Sequence, residues 1–88
     1  MCTSINESVV VHGAARGGSG WFQLARATVG FDHSTHTPAE HALLLDFSNY
    51  DLGTAARVAL ELDIESGRAL LNALQAAIMA AEATGLRA

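Results

Sequence analysis

Eighty-eight residues, half of them apolar and 16% charged, are enough for one small domain with a core and too apolar for a disordered chain. Nine acids stand against five basic residues, all arginine and spread over positions 16, 26, 57, 68 and 87, for a formal charge of −4. With no basic patch, the counterion-release term that drives nucleic-acid binding is missing, and attraction to an anionic membrane surface is disfavoured for the same reason. We therefore expect a single domain over residues 1–88 with neither nucleic acid nor membrane as partner. A single cysteine, Cys2, excludes an internal disulfide, and the N-terminus has no basic region followed by an apolar run, so a cytoplasmic protein is expected.

Residues 8–12 and 21–31 are rich in β-branched and aromatic side chains and flank the glycine-rich stretch 13–20, which predicts two strands joined by a long, mobile loop. That stretch has neither the Lys-Ser/Thr of a P-loop nor a strand-to-helix setting, so it is not read as a phosphate cradle. A third strand is predicted at 41–47 and a fourth at 56–62, separated by a turn containing Asn49, Asp51 and Gly53. In the fourth, Val58, Leu60 and Leu62 alternate with Arg57, Ala59 and Glu61, the pattern of a half-buried strand. Asp63 is a suitable N-cap for a helix from Ile64 to about Thr84, with Gly85 as its stop. Leu70, Leu71, Leu74, Ala77, Ile78 and Ala81 form one stripe on that helix, expected to cover the sheet.

These elements predict an α+β fold, ββββα: a four-stranded antiparallel meander followed by one C-terminal helix packed on one face. Runs such as residues 9–11 and 43–45 are apolar on both sides of a strand. One helix covers one face, so a homodimer closing the other is expected.

Residues 32–41 concentrate three of the four histidines, His33, His36 and His41, with Asp32, Glu40 and the sole proline, Pro38. Imidazole is both a common metal ligand and the side chain that titrates near neutral pH, so the cluster points to coordination or proton transfer. Pro38 stiffens the loop, fixing its own φ and holding Thr37 extended. Setting Gly13 opposite Trp21 gives facing residues a constant sum of 34, which brings Cys2 opposite Asp32 and sends His12 to the other end of the sheet. The candidate metal ligands are thus His33, His36, His41 and Cys2, suited to Zn, Fe, Cu or Ni, with Asp32 orienting an imidazole and Glu40 as a candidate catalytic base.

With these residues assembled, the chain resembles a family of short, mostly actinobacterial proteins of unknown function. The likeness rests on Met1-Cys2-Thr3, on Gly20-Trp21-Phe22, on the block from Asp32 through His33, His36, Pro38 and Glu40 to His41, and on residues 56–62. Asp63-Ile64 stands where the family is expected to have Thr-Pro, a change that preserves an N-cap. The resemblance implies no activity. Three functions follow from the residues themselves: a small metal-binding protein, enzyme or accessory factor; a non-enzymatic dimeric module that recruits a protein partner or an apolar small molecule; or a metal-free acid–base catalyst.

Overall fold

The computed structural model describes residues 5–86. Four strands, β1 (Ile5–Gly17), β2 (Gly20–His33), β3 (His41–Ser48) and β4 (Arg57–Leu62), form one antiparallel sheet in the order β1-β2-β3-β4, followed by the helix α1 (Ile64–Thr84). The ββββα architecture is as the hydrophobic patterning predicts. Between β3 and β4 a 3₁₀ turn, Tyr50–Leu52, is pinned to the neighbouring strand by Asn49, whose side-chain amide donates to the Gln23 carbonyl at 2.9 Å.

The first hairpin departs from expectation. The glycine-rich stretch is strand rather than loop: Ala14, Ala15 and Arg16 pair with Gln23, Phe22 and Trp21, leaving only Gly18 and Ser19 at the turn. Gly20 takes up the reversal at φ 110°, a conformation that a Cβ would oppose. The tight turn at Gly18 and Ser19 explains the register error: beside it Arg16 pairs with Trp21, a sum of 37 in place of 34, and a bulge after Val10 brings the sum only to 36, where Val10 pairs with Arg26. Ile5 consequently faces Phe31, and Gly13 does not face Trp21.

Paired residues share a face and alternate residues change face, so the register sorts the sheet into two sides. One carries Ile5 and Val9, Val29 and Phe31, Leu43, Leu45 and Phe47, and Val58, Leu60 and Leu62. The other carries Asn6, Ser8, Arg26, Thr28, Asp46, Arg57 and Glu61 beside Val10 and Leu44. The runs that read as apolar on both sides thus belong to a sheet with one apolar and one polar face. On the polar face Arg57 Nε donates to Asp46 Oδ2 at 2.6 Å, which holds the guanidinium pKa above its usual value, and Arg26 donates to Ser8 Oγ at 3.0 Å.

The helix begins as predicted. Ser66 donates its backbone N–H to the Asp63 carboxylate at 2.7 Å, and the hydrogen bonds from Ser66 hold that carboxyl below the usual aspartate range. Gly85 ends the helix at φ 70° with its N–H on the Glu82 carbonyl. Contact with the sheet is narrower than the stripe predicts. Gly67 lies against Leu43 so closely that a Cβ would overlap Leu43 Cδ1, but no helical residue is buried, and Leu70, Leu71, Leu74 and Ile78 remain 46–56% exposed. The apolar face is itself left partly open: Ile5, Val9, Val29 and Leu60 are exposed, whereas Phe31, Leu43, Leu45, Phe47, Val58 and Leu62 are half-buried. Among the described residues only Ala27, Ala42, Ala56 and Ser48 are buried, and no large side chain is fully enclosed.

Candidate functional site

The histidine segment is built by two elements that converge from different directions. β2 ends at His33 and β3 begins at His41, and the two are direct cross-strand partners, so their rings meet with centroids 4.4 Å apart. Phe31, on the same face, stacks against His41 at 5.7 Å and 21°. Asp32 accepts from the His33 backbone N–H at 2.7 Å and lies 3.3 Å from its Nδ1, contacts that lower the Asp32 pKa, the backbone bond foremost. The anticipated orienting role of Asp32 toward an imidazole thus has a geometric counterpart.

His36 goes elsewhere. The connection between β2 and β3 is tied down by Glu61 of β4, a residue that alternation alone marks as an ordinary outward-facing acid. Glu61 Oε1 accepts the backbone N–H groups of His36 and Thr37, both at 2.8 Å. Its Oε2 accepts from the Thr35 hydroxyl at 2.7 Å and the Thr35 N–H at 3.1 Å, and lies 3.3 Å from His36 Nδ1. The hydroxyl bond from Thr35 is the largest cause, followed by the amide of Thr37, of a glutamate pKa far below the usual carboxylate range, against an opposing effect of burial. Ser34 completes the turn from within, its hydroxyl donating to the carbonyls of Thr37 and Ala39 while its N–H bonds the Glu40 carbonyl at 3.1 Å.

The predicted ligands therefore divide. His33 and His41 come together, His36 is held beside Glu61, and the Glu40 side chain is exposed. Cys2 lies outside the described residues. Among the described residues no group of three or more His, Cys, Asp or Glu side chains is placed to hold a metal ion, so the three-histidine centre expected from spacing is not formed. The reason is register: β-pairing joins His33 to His41, whereas the loop carrying His36 hydrogen-bonds to the far strand. His12, as expected, sits toward the hairpin turn, away from this end of the sheet.

Three concavities adjoin the site, one of about 630 Å³ being lined by Thr35, His36, Thr37 and Glu61 with Arg57 and Ala59. A depression of about 360 Å³ on the polar side is lined by Thr28, Asp32, Asp46, Arg57 and Glu61 with Leu44, and Asp46 Oδ1 is buried there without a hydrogen-bond partner. A groove of about 390 Å³ on the apolar side runs between Ile5, Val29, Phe31 and Leu43 of the sheet and Ile64 of the helix. Sequence reading missed Glu61 as an organising residue, since nothing local indicates that an acid on β4 will meet amides 24 to 26 residues earlier.

Fold and site define a small ββββα protein with one open apolar sheet face, a projecting apolar helix and a carboxylate-anchored histidine loop. The chain belongs to a family of unknown function, DUF6295, whose model matches residues 1–87. No curated protein and no solved structure matches it. Among the described residues no helix is long and apolar enough to cross a membrane.

Proposed function

We propose that this protein is a non-enzymatic binding or subunit module, working through its apolar sheet face and helix stripe. One observation carries the reading: large apolar side chains of both surfaces stand exposed while, among the described residues, only small ones are buried. Contiguous apolar surface on this scale marks an interaction site in a folded protein. The histidine loop then has a structural role, closing the β2–β3 connection through Glu61. Replacing His33, His36 and His41 together by alanine is expected to preserve the far-UV circular dichroism. It removes the His33–His41 cross-strand pair, worth about 0.2–1 kcal/mol, and so lowers Tm by no more than about 8 °C. A triple variant that is unfolded at room temperature would end this reading.

The paired rings of His33 and His41 support a second reading, in which two imidazoles contribute to a transition-metal site with Zn, Fe, Cu or Ni. Both are imidazole ligands on paired strands, and Cys2 is the candidate thiolate. Untagged protein incubated with each metal and then desalted tests it. Roughly one equivalent per site supports coordination, and less than about a tenth of an equivalent rejects it.

A further inference from the structure

We infer that the occupant of the open apolar face is a second copy of this chain, each copy's helix stripe lying on the other's sheet. The inference rests on the binding-module reading and names its partner.

The amount of uncovered surface is the first argument. A folded monomer of 9.2 kDa is expected to expose about 4,900 Å², whereas this chain exposes 6840 Å². Allowing the six residues outside the described range the full exposure of an unfolded chain accounts for only about 900 Å² of the excess. About 1,000 Å² remains. That exceeds the roughly 800 Å² that each partner contributes to a standard stable interface. The radius of gyration agrees, at 14.8 Å against about 12 Å for a compact chain of this length.

Complementarity is the second. A flat apolar sheet face is ordinarily covered by a helix, and a 21-residue helix about 31 Å long ordinarily lies on a sheet. In the single chain neither is fully covered, because α1 meets the sheet mainly at β3, with Gly67 against Leu43, while Leu70, Leu71, Leu74 and Ile78 stay exposed. A two-fold arrangement supplies both at once, since one operation gives each sheet a helix and each helix a sheet, and it closes without leaving a free face. The alanines at 69, 73, 76, 80 and 83 flank the stripe with small side chains and let a helix approach closely. No other partner is required to account for either surface.

Sedimentation equilibrium and thermal melting of the untagged full chain, from about 1 to 100 μM, test the inference. The expected mass is twice 9.2 kDa, with a Tm that rises with protein concentration, because dissociation and unfolding are linked. Leu74→Glu alters a residue that is 56% exposed in the single chain. It is expected to dissociate or unfold the protein, whereas on a true monomer surface it would leave mass and Tm unchanged. A folded 9.2 kDa species with concentration-independent melting overturns the second copy as occupant. If that monomer binds the apolar dye 8-anilinonaphthalene-1-sulfonate, the module reading survives with another occupant. If it does not, both fall.

Discussion

Changing Glu61 to Gln is expected to release the segment that carries His36 while leaving the sheet and helix in place. The carboxylate accepts the N–H groups of Thr35, His36 and Thr37 and the Thr35 hydroxyl, spread over its two oxygens. A carboxamide has one acceptor oxygen and one donor nitrogen, so at least half of these donors would face an N–H in place of an oxygen. Charge-assisted bonds are also the stronger kind, and their loss is not replaced by a neutral amide. Amide hydrogen exchange at Thr35, His36 and Thr37 should therefore accelerate by about tenfold or more relative to the wild type, with the strand amides of β2 and β3 unchanged. Equal protection in the two proteins would show that the loop holds its shape without the clamp.

The same contacts set a pH dependence whose sign is determined. Glu61 has a folded pKa depressed below its ordinary value of 4.5, so its contribution to stability is complete above that value and is lost only as pH falls through the lower, folded value. Loop protection is expected to persist at pH 4, where a solvated glutamate is more than half protonated. A ¹³C titration of the Glu61 carboxyl with a midpoint near 4.3 would contradict this.

Gly30→Ala is expected to destabilise the protein by about 1–3 kcal/mol, because a Cβ at this position of β2 would stand 2.7 Å from the Ile5 carbonyl oxygen. The obstacle is backbone. A side chain can rotate aside, but the Ile5 carbonyl moves only if the β1–β2 ladder opens beside the Gly30–Asn6 pair. Gly13→Ala is the matched control: nothing lies within 4 Å of a Cβ there, so the change should be neutral or slightly stabilising through the loss of unfolded-state freedom. Urea unfolding of the two variants separates the effects, and equal midpoints would exclude a close approach at Gly30.

Local signals located the elements well. Alternation of Val58, Leu60 and Leu62 with Arg57, Ala59 and Glu61 marked β4, and Asp63 and Gly85 marked the helix ends, because side-chain period and capping are properties of neighbouring residues. Local signals also misled where composition and pairing disagree. Glycines and alanines from 13 to 17 look like loop, yet small residues pair as strand when the partner carries Trp21, Phe22 and Gln23. The expected register erred because the turn lies at Gly18 and Ser19 and the strands pair up to it, while the bulge after Val10, which has no reliable sequence mark, changes the register by one residue more.

By itself the sequence determined the order ββββα, the caps of the helix, the apolar stripe and the composition of the histidine segment, all of which follow from residues close together in the chain. Tertiary structure alone decided which of those histidines meet. His33 and His41 are joined by strand register, and His36 is drawn to Glu61 from across 25 residues. It alone showed, too, that the stripe stays exposed and the apolar face only partly covered within one chain. Where a helix lies once it has left its strand depends on packing over the whole surface, which no local pattern encodes.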